Sequence, residues 1–239
     1  MSDKNPEQSA DTPSRRRSVR SFVVRSGRVT AAQQRALTEL WPLYCVESEA
    51  APLNLDEIFG RQAPRMIEIG FGAGEALLEF ARAHPEMDCL GLEVHRPGIG
   101  HLLLGLQAAQ ITNTRVICRD AVEVLERQIA PESIDLIHIF FPDPWPKKRH
   151  HKRRLIQPEF VELLASRMRP NALLRLATDW EHYAHHMHET LDACAALENL
   201  STDGTGFVSR PDVRPLTRFE RRGQRLGHAV WDLAYRKRA

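Results

Sequence analysis

The chain has 239 residues, 42% of them apolar, and a formal charge of only +2, enough for one large soluble domain with a substantial core or two small ones. No segment approaches the length of a membrane span, and the Arg-rich N-terminus has no apolar signal core, so membrane and secreted classes are set aside and a cytoplasmic location is expected. Cys45, Cys89, Cys118 and Cys194 are widely spaced with no Cys-x-x-Cys pair, and Cys89 and Cys118 sit in apolar contexts that favour buried, reduced thiols.

Residues 1–20 are polar and basic and read as a disordered arm, leaving 21–239 as the folded domain. Thr30-x-x-Gln33 is a capping box that opens a helix to about Leu43, with Ala36, Leu37, Leu40 and Trp41 on one face. Short apolar runs then alternate with helical stretches. Strands are expected at Arg65–Gly70, Cys89–Val94, Thr114–Cys118, Ser133–Phe141 and Ala172–Ala177. The helices between and after them are Glu75–Ala83, Gly98–Gln110, Val122–Ile129, Pro158–Met168 and Glu181–Leu191. Phe207–Ser209 and Ala229–Arg236 read as two last strands. Five β-α units in series imply a mostly parallel, doubly wound α/β sheet whose ligands sit at the carboxyl ends of the strands.

Those strand ends carry the informative residues. The first runs Glu68-Ile69-Gly70-Phe71-Gly72-Ala73-Gly74-Glu75, a turn that brings backbone close to a ligand. A dinucleotide fingerprint needs a small residue where Glu75 stands, and two carboxylates beside the turn would repel a diphosphate. They suit a ligand bearing an ammonium and a sulfonium, which selects S-adenosylmethionine over NAD. Glu93, at the end of the second strand, is placed to accept from both ribose hydroxyls, and Asp120, at the end of the third, to accept from an adenine amino group.

The fourth strand runs into Pro142-Asp143-Pro144-Trp145, followed by six Lys/Arg and two His in the eight positions from Lys147 to Arg154. A carboxylate and an aromatic ring pinned between prolines beside a cationic run suit an enzyme that holds one base while gripping phosphates. Trp145 is equally readable as a base-stacking residue or as a turn aromatic packed on the sheet end. The histidines at 182, 185, 186 and 188 read as a solvated helix face, and no metal is expected.

Gly70–Gly74, Glu93, Asp120 and Asp143 match the motif order of class I S-adenosylmethionine-dependent methyltransferases. More narrowly, Phe-Phe-Pro-Asp-Pro-Trp-Pro-Lys, Ala-Thr-Asp-Trp at 177–180 and Thr217-Arg218-Phe219-Glu220 resemble the bacterial tRNA (guanine-N7-)-methyltransferase family. The similarity runs from about Arg20 to the C-terminus. It implies a Rossmann-like seven-stranded sheet with an antiparallel last strand, and methylation of guanine N7 at position 46 of the tRNA variable loop. Carried across, Glu68, Gly70, Gly72, Gly74, Glu93, Asp120 and Asp143 become cofactor-side residues, with Asp143 also catalytic. Lys147, Asp179, Thr217, Arg218, Phe219 and Glu220 become substrate contacts, and Arg149, His150, His151, Lys152, Arg153 and Arg154 the RNA-interacting stretch. The expected partner is tRNA, with no membrane; a monomer is expected and a dimer left open. Exocyclic amino methylation is disfavoured because its motif places the aromatic one position later than Trp145. A non-catalytic RNA-binding shell would have no need of the three cofactor acids.

Overall fold

The computed structural model describes residues 29–47, 52–211, 220 and 229–239. The strands are Arg65–Ile69 (β1), Asp88–Leu92 (β2), Thr114–Ile117 (β3), Ile134–Phe140 (β4), Met168–Thr178 (β5), Leu197–Asn199 (β6) and Trp231–Lys237 (β7). They form one seven-stranded sheet in the order β3-β2-β1-β4-β5-β7-β6. The first five are parallel, and β7 runs antiparallel between β5 and β6. The order reverses between β1 and β4, which opens a crevice above their carboxyl ends.

The helices are Ala31–Glu39 (α1), Trp41–Tyr44 (α2), Leu55–Phe59 (α3), Glu75–Ala83 (α4), Arg96–Ala108 (α5), Ala121–Arg127 (α6), Pro158–Arg167 (α7) and Glu181–Asp192 (α8). Period two sorts the strand side chains into two cores. Met66, Cys89, Val116 and Leu136 pack with Leu77 and Phe80 of α4, Ile99, Leu102 and Leu103 of α5, and Ala36 and Leu37 of α1. Ile67, Leu90, Ile117, Ile137 and Leu174 face the other way, against Leu125 of α6, Val161 and Leu164 of α7, and Tyr183 and Met187 of α8. Burial on both faces explains why β2 is solvent-shielded along its whole length.

Three local expectations are corrected. The helix expected to reach Leu43 stops at Glu39, and α2 starts a separate turn with Pro42 near its beginning. Pro42 has no N–H, and its ring in a continuous helix would collide with the carbonyl of Thr38. The stretch Phe207–Ser209 contributes only a bridge between Val208 and Asp232; the strand that pairs with β7 at the edge is β6. Cys118 is half-buried, whereas Cys89 is buried with its thiol pushed up to about 12 by desolvation. All four cysteines are free thiols. At the far edge, Cys45 bridges Val116 in parallel and the Val46 N–H donates to the Val116 carbonyl at 2.8 Å, so chain before the domain's first strand covers β3.

The capping box is present in both directions: Gln33 N–H donates to Thr30 Oγ1 at 3.2 Å, and Thr30 N–H to Gln33 Oε1 at 2.9 Å. The Gln33 amide also donates to the Pro97 carbonyl at the start of α5. Thr30→Ala should cost about 1 kcal/mol, the usual worth of an N-cap, and lower the melting temperature by roughly 2–4 °C for a domain of this size, measurable by calorimetry.

Candidate active site

The turn after β1 is shaped by its glycines. Gly70, Gly72 and Gly74 hold φ of 70°, 59° and 79°, in the left-handed region that side chains resist. The Gly72 N–H donates to Oε2 of Glu93 at 2.8 Å, while the Val94 and His95 N–H groups donate to its Oε1 at 2.7 and 2.9 Å. Glu93 is therefore the bolt between the β1 turn and the end of β2. A carboxylate offers about four acceptor positions, so three are already taken and the expectation that Glu93 serves both ribose hydroxyls is reduced to about one vacancy. On the far side of the turn, a Cβ on Gly98 of α5 would lie 2.0 Å from the Gly72 carbonyl oxygen, which is why this helix position must be bare. A Cβ on Gly70 or Gly72 would meet nothing within 4 Å: their outer faces look into open space.

Gly70 lies on the wall of a cavity of about 340 Å³ at the switch point, within the range of small-ligand sites. Glu93, Asp120 and Asp143 line it, with Gly70 and Ala121. Asp120 caps α6, accepting from the Val122 N–H at 2.9 Å. Glu68 does not line the cavity. It lies beneath the glycine turn, 2% exposed, with Oε2 shielded and unpartnered among the described residues. Burial, aided by the charge of Glu93, pushes its carboxyl up to about 8. Its register partner on β4 is His138, also buried and lodged against the rings of Phe80 and Phe140. Burial, with Arg175 and His84 nearby, lowers that imidazole to about 3. Three acids on the cavity wall and the bare backbone of Gly70 fit S-adenosylmethionine, whose ammonium and sulfonium satisfy acids that would repel a diphosphate.

Asp143 stands on the strand-like exit of β4, exposed on the cavity wall. Phe141 and Trp145 on either side have φ of 52° and 45°, a strained setting for side-chain-bearing residues. Because Phe140 pairs with Ala177, Asp179 emerges from β5 at the same end of the sheet as Asp143. The cationic run then turns through a 3-10 helix, Lys148–Arg153. Lys147, Arg149 and Lys152 are exposed, and His150, His151 and Arg153 partly so. Slight desolvation and the surrounding cations lower the pKa of both histidines. Arg153 lies 4.9 Å over the Trp145 ring and His150 meets that ring in a T-shaped contact, so one face of the indole is occupied.

Arg154 departs from the expected role. It is 2% exposed and turned inward, where its guanidinium finds the Pro144 carbonyl and the face of Tyr183. Glu220 is likewise buried, at 2% exposure, beneath the surface rather than on it. Thr217, Arg218, Phe219 and the arm 1–20 lie outside the described residues. Sequence reasoning missed His95, Arg119, Phe141 and Leu155 in the cavity wall and Gly98 behind the turn. The first three adjoin strand ends already singled out; Leu155 and Gly98 carried no signal. Of the α8 histidines, His182 meets Arg154, His186 bonds the Ile156 carbonyl and His188 the Tyr235 hydroxyl.

Two measurements follow from this geometry. Gly98→Ala should push the turn out of place at about 1–3 kcal/mol, and weaken cofactor binding by at least about tenfold in a calorimetric titration. For Glu68, the folded protein keeps a proton that the unfolded chain loses near its usual value of about 4.3. Its contribution to stability is therefore full at acid pH and lost as pH rises through about 8. Glu68→Gln should raise the melting temperature relative to the parent progressively between about pH 5 and 8, and a constant difference across that window would contradict the burial argument.

The Methyltransf_4 methyltransferase family model matches residues 62–233. A tRNA (guanine-N(7)-)-methyltransferase of Thiobacillus denitrificans is 56% identical over 92% of this chain and 96% of its own. Those of Alkalilimnicola ehrlichii and Ectopseudomonas mendocina are 54% and 49% identical, covering 97% and 99% of this chain and 98% and 99% of theirs. Among solved structures, the 16S rRNA methyltransferase KamB superposes with a TM-score of 0.57 at 15% identity, covering 80% of this chain and 96% of that one. The [4+2]-cyclase SpnF superposes at 0.52 and 12% identity, over 88% and 97%. A cyclase on the same sheet shows that these likenesses speak for the fold alone. It is the near full-length identity to named relatives that decides the matter: the chain belongs to the tRNA (guanine-N(7)-)-methyltransferase family.

Proposed function

We propose that this protein methylates N7 of guanine in tRNA, at position 46 of the variable loop, with S-adenosylmethionine as donor. The observation that carries the reading is a cation-accepting acidic cavity whose rim residue, Asp143, opens directly onto a surface run of Lys and Arg. Glu93 and Asp120, on the cavity wall, would hold the cofactor, with the bare backbone of Gly70 letting it lie close, while Glu68 would lie buried behind that wall. When bound, it supplies an electrophilic methyl group on a sulfonium.

Guanine N7 is a lone pair with no proton, so no residue has to act as a base. The protein must align the base and place negative charge where the purine becomes cationic. Asp143 does this from the cavity wall. Asp179, at the neighbouring strand end, is placed to accept from guanine N1–H and N2–H, donors that adenine does not present as a pair. Lys147, Lys148, Arg149, Lys152 and Arg153 hold phosphates, positioning the RNA without reading its sequence. No described helix is long and apolar enough to cross a membrane, and the proposed tRNA substrate favours a cytoplasmic location.

Incubation with labelled cofactor and unmodified tRNA, followed by nucleoside analysis, should return 7-methylguanosine from position 46; label on an exocyclic amine or none at all would overturn the reading. Asp143→Asn should lower kcat by roughly 10²–10³, the worth of one preorganised electrostatic group, while cofactor affinity stays within about threefold. The logarithm of tRNA affinity should fall against the logarithm of salt by about 0.7–0.9 for each phosphate these five cations neutralise, and a flat salt series would refute the assignment.

A further inference from the structure

We infer that Arg154 is a positioning residue which fixes the Asp143 loop from inside the protein, rather than a phosphate contact in the basic run. The inference rests on the role given to Asp143 above. Arg154 closes a run of solvent-facing cations yet is among the largest fully buried side chains. Its Nε donates to the Pro144 carbonyl at 3.0 Å, and Nη1 donates to Nδ1 of His182 at 3.2 Å. Its guanidinium carbon lies 4.8 Å over the ring of Tyr183. A cation removed from water needs such partners, and a planar fork stacked on an aromatic face is the arginine solution to that problem.

The position of the contact gives it meaning. Pro142, Pro144 and Pro146 have no backbone N–H, so the loop between them has little means of bonding itself in place. Asp143 sits between two left-handed residues, Phe141 and Trp145, a conformation that persists only when its surroundings over-determine it. Upstream, the Phe141 N–H is anchored to the Ala177 carbonyl at 2.8 Å. Downstream, Arg154 holds the carbonyl of the residue immediately after Asp143. Arg154 is itself set by its own N–H on the His151 carbonyl and by α8, where the Tyr183 hydroxyl accepts from the Ile156 N–H and His186 bonds the Ile156 carbonyl.

The test compares kcat, KM for tRNA, cofactor affinity and the salt slope of tRNA binding in full-length variants, with melting temperature as the folding control. The parent's methylation of tRNA reports separately on the functional reading. Arg154→Lys keeps the charge but loses the fork. It should lower kcat by about 10–100-fold, as a displaced catalytic group does, with KM for tRNA within about threefold and an unchanged salt slope. Lys152→Ala should do the reverse, raising KM and reducing the salt slope by about one. Should Arg154→Lys fail to fold, His182→Ala removes the Nη1 partner from an exposed side chain and should lower kcat several-fold with KM unaltered. Parent-like kcat in Arg154→Lys, a reduced salt slope in that variant, or parent-like kcat in His182→Ala as the fallback, would each overturn the inference.

Discussion

The geometry of this site depends on one carboxylate. Glu93 accepts three backbone N–H groups, one from the turn after β1 and two from its own strand end. Charge-assisted bonds of this kind are roughly twice as strong as neutral ones, and here they fix two neighbouring strand ends at the point where the sheet order reverses. The bare α carbon of Gly98 lets α5 close behind the same turn. With the turn clamped from both sides, the backbone of Gly70 faces the cavity in a single shape, and Asp120 and Asp143 line the same cavity.

Beneath that clamp lie two titratable side chains that burial pushes in opposite directions. Glu68 is held towards its neutral acid form and His138 towards its neutral base form, on adjacent strands and with no ion pair between them among the described residues. A neutral floor under an acidic rim concentrates the negative charge at the mouth of the cavity, where a cationic ligand would meet it. Burying a lone charge is expensive and neutralisation is the usual escape, and Glu68 takes it.

Much of this was legible in the residues. The alternation of apolar runs with helical periods gave the order of β1 to β5 and their helices, because burial on both faces leaves a plain mark. The acids were legible for the same reason: Glu93, Asp120 and Asp143 each end an apolar run, and the sheet brings such ends together. What was not legible depended on side-chain direction and on single backbone constraints. A run of cations reads as one face, yet Arg154 turns inward to a tyrosine 29 positions away in the chain. Apolar spacing continued past Leu40, while Pro42 stopped the helix. Glu68 looked like the other acids, but its place two residues before the turn puts it under the glycines instead of above them.

The margins of the sheet have a consequence of their own. An unpaired outer strand is an invitation to a second chain, since its amides and carbonyls form a ready ladder for docking. Here one outermost strand is partly roofed by the bridge from Cys45 and the bond from Val46, and the opposite one is only three residues long. A neighbour seeking to continue the ladder finds little strand to hold at either border among the described residues.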